Sequence, residues 1–272
     1  MTLLIEKIIC FVICYIFSFI PNKKKNFVIL ICSYNNESFF WDNINSALNQ
    51  KYLNYRIIFI NDRSTDKTSF FLKILKKKYD SKKKILIINN KTRKGSLKNK
   101  FEVINKYCKK NEIIVVLDGD DKLSNNRVLS YLNYIYNKFN IWMTFGSYIH
   151  FSGKKSYQKP YQKKIIYDNS FRKNFHPSHL RSFYTWLFKK VPKSYFLKNP
   201  ATFFMTCEDK ASMFPLIELS GNRHLFIKEK LYLYNDKNPN GLYKNKKKEK
   251  EKSINSGIIK SMKPLKPLSR VC

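Results

Sequence analysis

Carboxylates crowd one place in this chain, where Asp118, Asp120 and Asp121 surround Gly119 in the stretch VVLDGDD. The residues leading into them from Ile113 are apolar or β-branched, the composition of a buried strand whose tip opens onto a charged site. Acidic groups packed at a strand tip repel one another unless a cation lies between them. Oxygen-only ligands of this kind suit Mg2+ or Mn2+ rather than zinc, and a metal held this way ordinarily has phosphate on its other side. The plainer reading is an acidic turn, since Asp and Gly are ordinary turn residues. A second acidic pair, Glu208 and Asp209, follows Thr206 and Cys207, where a helix N-terminus would favour carboxylates in any case. His176, His179 and Arg181 in HPSHLRSF form a polar cluster ahead of an apolar run, suited to lining a pocket or equally to a helix cap and its solvent face.

Positioning such groups requires elements that end together. Residues 27–32 (FVILIC), 56–60 (RIIFI), 84–88 (KILII) and 113–117 are apolar runs of strand length, each followed by polar residues and then by helical spacing. Strand and helix alternating four times argue for an α/β fold with a mainly parallel sheet and helices on both faces, where ligands bind beyond the carboxyl ends of the strands. Those ends carry Ser33 and Tyr34, Asp62, Arg93 with Lys94, and Asp118 to Asp121. No GxGxxG or Walker pattern occurs, so dinucleotide-binding and P-loop readings lack their signature. Further on, a strand is expected near 142–151 with Gly146 at a bulge or close approach. An irregular loop over 154–174 comes next, then a helix capped by Ser178 that carries Leu180, Phe183, Tyr184, Leu187 and Phe188, and finally a closing strand at 225–234.

The chain has 272 residues, with 53 Lys and Arg against 19 Asp and Glu, a formal charge of +34. Phosphates, anionic lipid and nucleic acid are all compatible with it. Lys greatly outnumbers Arg amid abundant Asn, Ile, Phe and Tyr, so codon bias toward A/T explains much of the excess and no specific nucleic-acid partner is expected. The six cysteines have neither CxxC spacing nor His partners, which points to scattered thiols in a reducing compartment. Residues 8–20 are apolar except for Ser18 and are followed by Lys23, Lys24 and Lys25. Thirteen helical residues reach only about 20 Å against a bilayer core of about 30 Å, leaving open a signal anchor, a cleaved signal peptide and an amphipathic or re-entrant anchor. The lysines favour a membrane-associated chain whose C-terminal domain is cytosolic, with a luminal domain held by a signal anchor, in the ER or Golgi, as the alternative. The expected organisation is an N-terminal segment over 1–25, a domain over 26–234 divided near 122, and a lysine-rich tail over 235–272, disordered from about Tyr243.

The stretch FVILICSYNNESFFWDNINSALNQKYLNYRIIFINDRSTDKT, with VVLDGDD and TCEDKA after it, resembles family 2 glycosyltransferases. The resemblance covers roughly residues 27–234 and implies a GT-A fold, with a mainly parallel central sheet flanked by helices and a mixed acceptor-side part. It implies an inverting transfer from a nucleotide sugar, foremost a UDP-sugar, to a hydroxyl on a glycan, lipid or protein, assisted by Mn2+ or Mg2+. Tyr34 and Asp62 would hold the base, with Cys32 and Ser33 lining the same turn. Arg93 and Lys94 would face nucleotide or diphosphate. Asp120 would contact ribose or metal, Asp121 would ligate the metal, and Asp118 would support them. Asp209 would be the catalytic base, with Glu208 beside it, and His176, His179, Arg181 and Glu208 would be candidates for acceptor or diphosphate contacts. Asn61 stands where the family has an Asp. Two other readings compete: a catalytically inactive scaffold binding membrane or nucleic acid through its charge, and a nucleotidyltransferase, which would leave the Glu-Asp motif unexplained.

Overall fold

The computed structural model describes residues 2–18, 23–79, 84–154, 156, 158–239 and 248–269. Helix α1 (Thr2–Ser18) precedes three strand and helix units and a fourth strand: β1 (Phe27–Ser33) and α2 (Phe40–Leu48), β2 (Tyr55–Asn61) and α3 (Thr68–Tyr79), β3 (Ile85–Asn89) and α4 (Ser96–Tyr107), then β4 (Ile113–Asp118). There follow β5 (Lys122–Leu123), α5 (Val128–Lys138), β6 (Met143–His150), α6 (Lys163–Tyr167), β7 (Arg181–Tyr184) and α7 (Thr185–Lys189). The small hairpin β8 (Leu197–Asn199) and β9 (Thr202–Phe203), helix α8 (Glu208–Ser220), strand β10 (His224–Tyr234) and helix α9 (Glu249–Ser261) complete the order.

One sheet runs β3-β2-β1-β4-β7-β6-β10-β5. Its first four strands are parallel, with Cys32 beside both Ile60 and Asp118, so the polar ends of β1, β2 and β4 are level. The strand order reverses between β1 and β4, and such a switch point opens a crevice at the carboxyl edge. Alternate residues of these strands feed two apolar layers. Val28, Leu30, Ile58 and Ile114 pack with Phe145 and Phe214 on one face. Ile29, Ile31, Ile57 and Val115 pack with Phe40 and Leu129 on the other. Burial on both faces is why these strands read as unbroken apolar runs. Each fully buried Leu, Ile or Phe contributes roughly 1.5–3 kcal/mol.

Two expectations do not match the structure. The helix expected after Ser178 is strand β7 followed by the short α7. Its spacing is helical, but the segment lies between β4 and β6 and pairs antiparallel with both. Pairing in a buried sheet overrides local periodicity. Ser182 there bonds Thr144 Oγ1 and Tyr136 OH inside the core. In the lysine-rich tail, where disorder was expected from about Tyr243, α9 is a helix with Asn255 and Ile259 buried; residues 243–247 lie outside the described residues. The tail is gripped by a buried ion pair. Arg172 donates to Glu218 Oε1 at 2.5 Å and Oε2 at 2.9 Å, and also to the carbonyl of Ile259. Glu218 accepts from Leu265 N, and Leu219 O accepts from Leu268 N. Gly146 makes the close approach its position suggested, since a Cβ there would lie 2.8 Å from Ile227 O.

Candidate active site

The carboxyl edge opens into a cleft of about 1040 Å3 whose walls come from opposite ends of the chain. On the β1–β2 side, Asn35 takes a left-handed φ of 53° and bonds across to the next turn: its N–H donates to Ser64 Oγ, and its Oδ1 accepts from Thr65 N at 2.8 Å. This fixes Tyr34, whose ring carries the Arg93 guanidinium at 3.8 Å, a cation–π stack that leaves a flat amphipathic surface at the cleft wall. Asp62 is buried. Its oxygens accept from Asn90 Nδ2 and from the backbone N–H groups of Lys94 and Gly95. Burial acts to raise its pKa, but these bonds, with Asn99, outweigh it and hold the carboxyl below its ordinary value. Asp62 therefore fixes the 93–95 turn from beneath. Asn61 does similar work through Ser64 N, Ser69 and Asn89. Burial pushes the Cys32 thiol up to about 12.

The acidic turn is pinned from below by Asn43 of α2, which donates to the carbonyls of Asp118 and Asp121 at 2.8 Å each. Gly119 sits against β1, and a Cβ there would lie 2.7 Å from Ser33 Cβ and 2.8 Å from Asn36 Nδ2. Ser33 is buried beneath it and accepts from Asn36. Asp121 is 1% exposed; Tyr232 OH donates to Oδ2 and Asn235 N to Oδ1, both at 2.6 Å. Asp120 accepts from Asn238 Nδ2. Burial raises both pKa values, and neighbouring carboxylates raise them further: Asp118 acts on Asp120, and both Asp120 and Asp118 act on Asp121. For Asp118, burial is outweighed by Lys100, His179 and Arg181, which hold it low.

The opposite wall comes from β7, α8 and α9. Arg181 Nη2 lies 3.8 Å from Asp209 Oδ2. Lys100, nearly buried, bridges Glu208 at 3.7 Å and Asp118 at 3.8 Å, and those two carboxylates keep it protonated against the effect of burial. His179 stacks on Tyr232 at 4.4 Å between ring centres. Burial, followed by Arg181, lowers its pKa to about 3, so the ring is neutral, and its Nδ1 makes no hydrogen bond among the described residues. Lys248, Lys252, Ser253 and Ser256 of the tail also line the cleft. The tail is joined to the Glu-Asp motif by Lys210 to Ser256 Oγ at 2.8 Å and Asn255 to Thr206 Oγ1 at 2.8 Å.

The cleft thus gathers Cys32, Ser33, Tyr34, Asp62, Arg93, Asp118, Asp120, Asp121, His179, Arg181, Glu208 and Asp209. Two candidates fall outside it. Lys94 turns its ammonium to Glu102 at 2.6 Å, contributing only its backbone N–H to the site. His176 stacks flat on Tyr161 at 4.4 Å. Lys100, Asn99 and α9 went unread in the sequence. A lysine within a helix and a basic tail carry no spacing signal; only their placement identifies them.

Among solved structures, the chain resembles residues 1–349 of S. aureus TarS, with a TM-score of 0.59 and 18% identity over 77% of this chain and 60% of that one. TarS has also been solved with UDP and with UDP-GlcNAc. A second neighbour is the mannosyltransferase PcManGT from Pyrobaculum calidifontis with GDP-Man and Mn2+, with a TM-score of 0.54 and 12% identity over 84% and 64% of the two chains. These likenesses establish a GT-A glycosyltransferase fold. Residues 28–196, more than half of the chain, match the family described as Glycosyl transferase family 2, and the protein belongs to that family. Two curated relatives from Haemophilus influenzae, each named an uncharacterized glycosyltransferase, are similar in sequence. One is 37% identical over 93 residues, 34% of this chain and 27% of its own; the other is 30% identical over 120 residues, 44% and 46%. The matched regions span less than half the length of either relative.

Proposed function

We propose that this family 2 glycosyltransferase moves a sugar from a nucleotide donor, foremost a UDP-sugar, to an acceptor hydroxyl with inversion and with the help of a divalent cation. The observation that carries the reading is one cleft with the acidic turn of β4 on one wall and the Arg181–Asp209 pair on the other. Tyr34 stacked with Arg93 would receive the base. The acceptor hydroxyl would attack the anomeric carbon as the bond to the diphosphate breaks, its proton passing to Asp209. Arg181 orients that carboxylate, and neutral His179 lines the same cleft with its Nδ1 4.0 Å from Asp118 Oδ2.

The cation fits the donor set. The acidic turn is oxygen-only, and burial first, with the neighbouring carboxylates adding to it, makes Asp120 and Asp121 resist ionisation, a turn short of positive charge. Asp120 is the better-placed ligand, because both oxygens of Asp121 already accept from Tyr232 and Asn235. Among the described residues no three His, Cys, Asp or Glu side chains are grouped to hold a metal, so diphosphate oxygens and water would complete the shell. Once bound, the cation neutralises charge building on the departing diphosphate.

The test is thermal stabilisation and hydrolysis with UDP- and GDP-sugars, with and without Mn2+ or Mg2+. A donor at a hundred times its Kd should stabilise the fold by about 2.7 kcal/mol. Asp120→Asn should lose cation-dependent stabilisation and roughly 10²–10³ in rate. Asp209→Asn should keep nucleotide binding and lose roughly 10²–10⁴ in kcat. Wild-type rates in both variants would refute these assignments, and binding without turnover by the wild type would favour the inactive scaffold.

A further inference from the structure

Helix α1 is amphipathic the wrong way round for a helix on a water-facing surface. Its charged and thiol-bearing residues face the protein. Cys10 and Cys14 are buried and Glu6 and Lys7 half-buried. Cys10 Sγ donates to Lys230 O at 3.2 Å, Asn125 Nδ2 reaches both sulfurs, and Phe17 stacks on Tyr134 at 4.4 Å. Glu6 lies close enough to Lys230 to oppose the burial that lowers that lysine's pKa. The opposite arc is apolar without interruption: Leu4, Ile5, Ile8, Ile9, Val12 and Ile16 are between 45 and 64% exposed. Residues at these spacings share one face at 3.6 residues per turn, and nothing among the described residues covers it. A surface helix in water puts its charges on the outside; this one keeps them inside.

The rim supplies the opposite chemistry. Arg127 lies over the ring of Tyr15 at 4.4 Å, Lys138 over Tyr134 at 5.3 Å, and Lys23 and Lys24 are exposed where the chain emerges from α1. A long apolar stripe bordered by cations is the pattern of a helix lying in a bilayer interface with anionic headgroups around it. No helix of the described residues is long and apolar enough to cross a membrane, and α1 is already docked along α5 and β10.

We propose that α1 seats the protein flat on an anionic bilayer, its outer face within the headgroup boundary and its inner face on the catalytic domain, without crossing the membrane. A basic rim complements lipid phosphate and would repel the same rim on a second copy, which is why the bilayer is the chosen occupant.

The test is flotation of the full chain with vesicles of phosphatidylcholine, alone or mixed with phosphatidylglycerol. The wild type should float with the mixed vesicles, more weakly as salt rises, and an Ile5→Glu, Ile9→Glu, Ile16→Glu triple variant should lose at least about tenfold in partitioning. That variant changes only exposed positions, so its Tm and its stabilisation by nucleotide should match the wild type. The membrane proposal and the catalytic reading can thus fail independently. An Ile9→Trp reporter should show a blue shift and quenching by lipids brominated near the headgroup. Three results would overturn the proposal: no flotation of the wild type, resistance to alkaline extraction with deep quenching, as for a spanning helix, or a lipid-free dimer that the triple variant converts to monomer.

Discussion

The two walls of the cleft hold their chemistry by different means. On the β1–β2–β4 side each functional residue ends a parallel strand and is fixed by short bonds to backbone: Asp62 by the N–H groups of Lys94 and Gly95, the acidic turn by Asn43, Asn35 by Thr65. On the β7–α8–α9 side the residues are held by charges from distant parts of the chain, Lys100 on Glu208, Arg181 on Asp209 and Arg172 on Glu218. The first arrangement suits a ligand part shared by many donors. The second can be retuned one ion pair at a time.

The comparison can be broken most forcefully at Arg172. Arg172→Ala leaves Glu218, with no exposed surface, as an unpaired buried charge, and should destabilise the protein by about 3–5 kcal/mol. Urea denaturation would measure that loss, and hydrogen exchange should show α9 opening first. Nucleotide stabilisation that survives under native conditions would confirm that the walls are separable; its loss would show them to be one unit. Gly119→Ala tests the other wall. Its Cβ has no room against Ser33 and Asn36, and overpacking of this kind costs about 1–3 kcal/mol, with nucleotide binding weakened and α9 exchange unchanged.

The last effect is absent at neutral pH and appears only in acid. His179 titrates near 3 in the fold, against about 6.5 when unfolded. As pH falls below about 6.5 the unfolded chain takes up this proton and the folded chain does not, so the contribution of His179 to stability declines until about pH 3. Asp62, held below its ordinary value, withdraws its contribution only below about 3.8. His179→Asn should therefore flatten the stability profile between pH 6 and 4 by up to about 1.4 kcal/mol per pH unit, and leave the steeper loss at lower pH in place.

This asymmetry also explains what the sequence could reveal. The nucleotide wall was legible because each strand is a contiguous apolar run and its polar end follows directly, as in FVILICSYNN and VVLDGDD. The β7–α8–α9 wall was legible at Glu208 and Asp209 and, without a motif to assign them, at His179 and Arg181. Strand β7 was misread because Leu180, Phe183, Leu187 and Phe188 fall at helical intervals, although Phe183 takes its register from β4 and β6 on either side and only Leu187 and Phe188 lie in a helix, α7. Helix α9 was missed because what holds it, Arg172 with Glu218, lies 87 positions from Ile259 at one end of the contact. Lys100 belongs to no motif, and only its position between Asp118 and Glu208 gives it a role.

Strand β7 runs against its neighbours: Val116 pairs with Arg181 and Ile113 with Tyr184. Every other strand beside the crevice delivers the residues that follow it, whereas β7 delivers the residues that precede it. The long excursion between β6 and β7 therefore reaches the cleft at its last step, through His179 and Arg181. An insertion or deletion within that excursion leaves the parallel strands and their register untouched while reshaping that side of the cleft. If the proposed function holds, a lineage could exchange acceptors by editing that one connection and inherit the β1–β2–β4 wall intact.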